Sequence, residues 1–192
     1  MSIQDRLKRR SDLISENILE ITDVVEDMSK EVSKSLLKGK KILFCGNGGS
    51  AAESQHMAAE YCATLDHNKP RDGMPAIALT TDTSFLTAWT NDFGYKEVFK
   101  RQLETLGNSG DIVFCYSTSG NSENVCLAAE KANELKIKVL GFTGNSGKTK
   151  LGNFCDLIFE APSVSTPIIQ EFHTIVGHEI CLRVEKLLSD GK

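Results

Sequence analysis

The sequence has no run of about 18 consecutive apolar residues, the minimum for a membrane-spanning helix. Its N-terminal stretch, MSIQDRLKRRSDLI, carries basic residues but no continuous apolar segment behind them, so it does not read as a secretory signal. A soluble, cytoplasmic protein is expected. No C-x-x-C pair occurs among the six cysteines, Cys45, Cys62, Cys115, Cys126, Cys155 and Cys181. They are spread through apolar stretches, as reduced core thiols are. An excess of positive charge is also missing: 22 Lys and Arg stand against 26 Asp and Glu, for a formal net charge of −4. Without a basic stripe, nucleic acid is excluded as the primary ligand. Low-complexity segments and repeats of solenoid length are absent too. The 192 residues suit one domain able to bury a core without a covalent staple.

What is present is a change of period near Gly39. Before it, Leu7, Ile14, Ile18, Ile21, Val25, Met28, Val32 and Leu36 recur at spacings of three and four or their sum, which draws one apolar stripe along a helix. About 30 residues of helix span roughly 45 Å, more than one small domain covers. Residues 1–38 are therefore expected to form an oligomerisation element, with part of the stripe packed on a second copy; the alternative is one helix folded back as two on its own domain. After Gly39, five short apolar runs, KILFC (41–45), PAIALT (75–80), DIVFCYS (111–117), KVLGFT (138–143) and DLIFEA (156–161), alternate with helical segments near 50–64, 83–106 with a break at Gly94, 122–135 and 166–188. Several of the runs lack a polar alternate, the signature of strands buried on both faces of a parallel sheet with helices on either side.

Two loops carry anion-binding character. Gly46-Asn47-Gly48-Gly49-Ser50-Ala51 follows the first strand and formally satisfies G-x-G-x-x-G/A. The next strand, however, ends at Asp82, too far on for the ribose-binding acid of a dinucleotide fold. Gly144-Asn145-Ser146-Gly147-Lys148-Thr149 ends like a P-loop but has Phe142 where the first glycine belongs. What survives is the physics the two motifs share: backbone N–H groups at a helix N-terminus bind an anion. Ser117-Thr118-Ser119-Gly120-Asn121-Ser122 forms a second such loop after the third strand. In an open parallel sheet the strand ends beside the order reversal share one crevice, and two hydroxyl-rich loops there suit a sugar phosphate.

His56 and Glu60 lie at i and i+4, on one face of the helix that opens at Ser50. Near the C-terminus, Gln170, His173 and His178 fall within IIQEFHTIVGHEICLRVEKLL; Gln170 and His178 share a helical row about 12 Å long. His56, Glu60, Gln170 and His178 together make an N/O set that Zn²⁺ or another divalent ion accepts, and a carboxylate beside an imidazole can move protons in an isomerisation. His67, in the polar loop 66–75, is expected to be solvated.

CGNGGSAAESQH, TNDFGY (90–95), STSGNS and IQEFHTIVGH, in this order, resemble the phosphoheptose isomerases, SIS-domain proteins that convert sedoheptulose 7-phosphate to D-glycero-D-manno-heptose 7-phosphate for bacterial surface polysaccharides such as lipopolysaccharide or capsule. The resemblance covers nearly the whole chain. It implies a single SIS domain over 1–192: an α/β three-layer sandwich with a five-stranded parallel sheet in flavodoxin-like order, plus a long N-terminal helix, assembled as a homotetramer with sites at subunit interfaces. The resemblance places metal ligands for one Zn²⁺ per subunit at His56, Glu60, Gln170 and His178. It places substrate contacts at Asn47, Gly48, Gly49, Ser50, Glu60, Asn91, Asp92, Ser117, Thr118, Ser119, Ser122 and Gln170. Catalysis falls to Glu60 as base and His178 as acid or relay, through an enediol. Two arginines usual in the family are missing, near Thr64 and at Ile168; Lys69 or Arg71 is the expected substitute. The competing expectations are an isomerase of another phosphosugar and a non-catalytic SIS protein that binds sugar phosphate or a replication initiator.

Overall fold

The computed structural model describes residues 1–190. Five strands, β1 (Ile42–Gly46), β2 (Ala76–Ala78), β3 (Ile112–Tyr116), β4 (Lys138–Gly144) and β5 (Leu157–Ala161), form one sheet. Its order is β2-β1-β3-β4-β5, and every pairing is parallel. This is the expected flavodoxin-like arrangement, with the order reversing between β1 and β3.

The unbroken apolar strands are explained by two cores. Along β1, Ile42 and Phe44 point to one face, while Leu43 and Cys45 point to the other; along β3, Ile112, Phe114 and Tyr116 oppose Val113 and Cys115 in the same way. The first face is covered by α2 (Ile18–Leu37), α3 (Gly49–Cys62) and α7 (Thr166–Asp190), and the second by α5 (Val98–Leu106) and α6 (Glu123–Glu134). Burial on both faces leaves no position at which a polar alternate would be tolerated. α4 (Thr83–Phe93) differs: none of its residues is buried.

The N-terminal stripe is carried by two helices, α1 (Ile3–Glu16) and α2, with a break at Asn17. The Asn17 amide donates to the Leu13 carbonyl at 2.8 Å, a local bond that competes with the helix ladder. Only Leu13 of α1 is buried. Arg10 forks onto both carboxylate oxygens of Glu171, while Ile3, Leu7, Ile18 and Leu19 stay between 53% and 74% exposed. Of the stripe, Leu7 and Ile18 are thus left exposed by this chain, Ile14 and Leu36 are half-buried, and Ile21, Val25, Met28 and Val32 are buried.

The thiols depart from expectation at one position. Cys45, Cys115, Cys126 and Cys181 are buried and Cys155 is half-buried, but Cys62 is exposed, because it closes the last turn of α3 where the chain turns out to the surface. All six are free. No described helix is long and apolar enough to cross a membrane.

Candidate functional site

β1 ends in the glycine loop, and each glycine there has its own reason. Gly48 has φ +56°, in the region that disfavours a side chain. A Cβ on Gly46 would stand 2.7 Å from the Ser50 carbonyl oxygen, and one on Gly49 would stand 2.4 Å from Nε2 of Gln170. α3 then starts at Gly49 with no side chain capping it, so its positive end is open to an anion. Gly48 and Gly49 are exposed and Ser50 is buried.

β3 ends in the serine loop. The Ser117 hydroxyl donates to Ser122 Oγ at 2.9 Å, Ser119 Oγ accepts from the Asn121 amide at 3.2 Å, and Gly120 takes φ +64° against the Thr149 side chain. Ser122 precedes α6 without capping it through its side chain. The two loops are joined. Asn47 donates to Asn124 Oδ1 at 2.8 Å, Asn124 donates back to Asn47 Oδ1 at 2.9 Å, and the Tyr95 hydroxyl adds a third bond to that oxygen at 2.7 Å. The Asn47 side chain is thereby engaged with the protein, and the Asn47 and Gly48 carbonyls accept from Ser50 and Ala51, which leaves the backbone N–H groups of Gly48 and Gly49 as the donors for a ligand. Asn91 and Asp92 lie exposed at the end of α4 and bond to each other; Tyr95, just beyond them, is what ties that segment to the glycine loop.

The loop at 144–149 is no phosphate cradle. A 3₁₀ turn, Leu151–Phe154, follows it in place of a helix, and its Thr149 is buried against Gly120.

α3 and α7 cross closely at Gly177, where a Cβ would lie 2.6 Å from Met57 Sδ. This brings His56 and His178 together, Nε2 to Nε2 at 2.8 Å, with the rings edge to face at 72°. Glu60 Oε1 stands 3.7 Å from His56 Nδ1. One ligand atom from each of His56, Glu60 and His178 fits within 4.8 Å of the others, and two imidazoles with a carboxylate are a donor set that a divalent ion accepts. Gln170 is brought against the glycine loop at Gly49, so α7 carries a side chain to that loop and an imidazole to the His–Glu cluster.

The surroundings of three residues were not read from sequence. Glu53, one turn before His56, accepts from the Thr174 hydroxyl at 2.7 Å through Oε2, while its Oε1 is buried without a partner. Burial raises its pKa, opposed by the Thr174 bond and by His56 and His178. The available signal was its place at i−3 and i−7 from His56 and Glu60. His173 is a core residue: it is 1% exposed, bonds the Thr143 carbonyl at 3.1 Å, and packs against the rings of Tyr116, Phe142 and Phe159. Arg71, the expected substitute for the family arginine near Thr64, stands beside that position, away from the glycine loop. It lies at the other end of α3, where its guanidinium is spent on carbonyl groups and Glu185. Lys69 pairs with Asp66, Ile168 packs into the core, and His67 is exposed as expected.

The SIS domain family matches residues 7–144. The chain is 46% identical over 161 residues to a phosphoheptose isomerase of Burkholderia pseudomallei, covering 84% of this chain and 80% of that one. It is 47% identical over 176 residues to a phosphoheptose isomerase of Aliarcobacter butzleri, covering 92% of each. The structure of a phosphoheptose isomerase from Neisseria gonorrhoeae superposes with a TM-score of 0.86 at 34% identity, over 96% of this chain and 100% of the other. With the fold, the glycine loop and the His–Glu–His cluster already in place, the chain belongs to the SIS domain family, among its phosphoheptose isomerases.

Proposed function

We propose that this chain is an aldose–ketose isomerase that converts sedoheptulose 7-phosphate to D-glycero-D-manno-heptose 7-phosphate. The observation that carries the reading is the position of Gln170. Its amide packs on Gly49 of the glycine loop, from the same helix that sets His178 against His56, which supports a single site served by the loop and by the His–Glu cluster. The names and identities of the relatives support the substrate.

The open N-terminus of α3 and the hydroxyls of the serine loop hold the phosphate and chain hydroxyls, with Asn47, Gly48, Gly49, Ser50, Asn91, Asp92, Ser117, Thr118, Ser119, Ser122 and Gln170 as the contact set. Glu60 removes a proton from C1 of the ketose, the electron pair forms the C1–C2 double bond, and O2 takes a proton from His178 to give the enediol. Glu60 returns the proton to C2 and the O1 proton passes to His178, which leaves the aldehyde and restores both groups. His56, Glu60, Gln170 and His178 are the residues that would hold a divalent ion such as Zn²⁺. Such an ion supplies positive charge beside the oxygens on which negative charge develops.

The exposed apolar residues of α1 and the start of α2 fit the role of residues 1–38 as the element through which a single SIS domain over 1–192 assembles as a tetramer. The test of the activity is a panel of C5 to C7 ketose phosphates assayed with and without added Zn²⁺. Turnover confined to the heptulose supports the reading; a preference for a pentose or hexose phosphate replaces the substrate, and no turnover of any of them overturns it.

A further inference from the structure

The C-terminal end of α3 has an unusual cap. A helix leaves its last four carbonyl groups without intrahelical partners, and the common remedy is a glycine in the left-handed conformation. Here the C-cap is Ala63 at φ −91°, ψ −108°, with no basic residue in the last turn. The orphan carbonyls are satisfied from the loop that follows. Arg71 Nη2 donates to the Glu60 carbonyl at 2.8 Å, and Nη1 donates to the carbonyls of Tyr61 at 2.9 Å and Ala63 at 3.2 Å. The remaining edge of the guanidinium faces α7: Nε donates to Glu185 Oε1 at 2.7 Å, and both side chains of the pair are less than one-fifth exposed.

Arg71 therefore grips the backbone of Glu60 itself while holding α7 through Glu185. α3 supplies His56 and Glu60, and α7 supplies His178 and Gln170; the two helices also meet at Gly177, through the Thr174–Glu53 bond and through the His56–His178 contact itself, and the clamp adds a charged tie at the end of α3 away from the glycine loop. Its charge also complements the negative end of the α3 dipole. The planar fork is essential to the geometry: a lysine ammonium keeps the charge but cannot reach the three α3 carbonyls and Glu185 from one rigid plane.

We propose that Arg71 is a positioning residue, which fixes the register between α3 and α7 so that the Glu60 carboxylate and the His178 imidazole converge on one point. The proposal rests on the reading of His56, Glu60 and His178 as an ion-binding acid–base set. Residues that orient a metal site from outside its ligand shell typically contribute about 10- to 100-fold to affinity, and the clamp is expected to act on that scale.

The experiment compares the full-length parent with Arg71→Ala, Arg71→Lys and Glu185→Gln, and with Lys41→Met as a control. The control removes the Lys41–Asp111 ion pair at the N-terminal edge of the sheet, far from the cluster. Zn²⁺ affinity is measured without substrate against a chromophoric chelator, the Co²⁺ absorption spectrum reports ligand geometry, and kcat and KM are measured on the heptulose phosphate. Arg71→Ala should lose about tenfold or more in Zn²⁺ affinity and shift the Co²⁺ spectrum, with kcat falling and KM nearly unchanged. Arg71→Lys and Glu185→Gln should fall between it and the parent, and Lys41→Met should melt earlier with parental Zn²⁺ affinity. If Arg71→Ala does not fold, the Lys and Gln variants decide by the same readouts. Parental metal affinity and spectrum in folded Arg71 variants would overturn the positioning role and leave only a helix cap, and a parent that binds no divalent ion overturns it as well. Failure of the isomerase reading is distinct: it appears as a parent that binds Zn²⁺ but turns over no heptulose phosphate.

Discussion

Asn47 in the glycine loop and Asn124 in the first turn of α6 exchange two side-chain hydrogen bonds, at 2.8 and 2.9 Å. A reciprocal amide pair of this kind holds two loops at a fixed separation, because neither side chain can rotate without breaking both bonds. Asn124 is 4% exposed, so water does not compete for its amide. The pair joins the loops that follow β1 and β3, at the switch point of the sheet, where the proposed ligand would lie.

Asn124→Ala leaves the Asn47 Nδ2 group without its acceptor and unties the loops. A lost buried hydrogen bond costs about 1–3 kcal/mol, and a comparable loss in ligand positioning corresponds to about a tenfold rise in KM for the phosphosugar. kcat should change less, since neither asparagine side chain reaches the reacting carbons in the proposed scheme. Steady-state kinetics on the variant check this; an unchanged KM would mean that the loops hold their separation without the pair.

Glu60→Gln tests the base. The amide preserves the shape of the side chain but cannot accept a proton from carbon, so exchange of the substrate's C1 hydrogen with solvent should fall by about 100-fold or more. Binding of the phosphosugar, which is carried by the loops, should be nearly intact. Hydrogen exchange followed by NMR in deuterated buffer measures this directly, and exchange at the parental rate would remove Glu60 from the role.

The fold was legible in the sequence because its signals are periodic. A parallel strand buried on both faces has no polar alternate, and DIVFCYS and KVLGFT show this as plainly as the two core faces do. The break at Asn17 was not legible, since the apolar stripe runs through it on the same face and only a side-chain-to-backbone bond marks the interruption. Within the site, the His56–Glu60 spacing and the Gln170–His178 row were visible, because i and i+4 positions share a helix face whatever the tertiary structure. Glu53 was not singled out: a glutamate in a helix is ordinarily solvated, and only the close crossing at Gly177 puts it indoors. The role of Arg71 was not legible for a related reason. Its partners are backbone carbonyls, which have no residue type, so a loop that turns back onto its own helix leaves no pattern to read.

His173 gives a pH dependence that is separate from catalysis. Burial among aromatic rings lowers its pKa to about 4, partly opposed by its bond to the Thr143 carbonyl, against 6.5 for an ordinary histidine. Above pH 6.5 the imidazole is neutral in both the folded and the unfolded chain, and the full stability is present. Below it the unfolded chain takes up a proton that the folded chain refuses, so stability falls with pH until about 4 and then levels off; the whole loss corresponds to about 3 kcal/mol. His173→Phe removes the titrating group while keeping a ring in the aromatic cluster. At pH 7.5 it should be less stable than the parent by about 1 kcal/mol, for the lost hydrogen bond. Between pH 6.5 and 5, where few carboxylates titrate, the parent should lose stability faster than the variant, so that the gap between them closes and then reverses. Urea unfolding of both proteins across this range measures the gap. A gap that stays constant with pH would show that the His173 ring is protonated as readily inside the protein as outside, and that its burial carries no cost to the charged form.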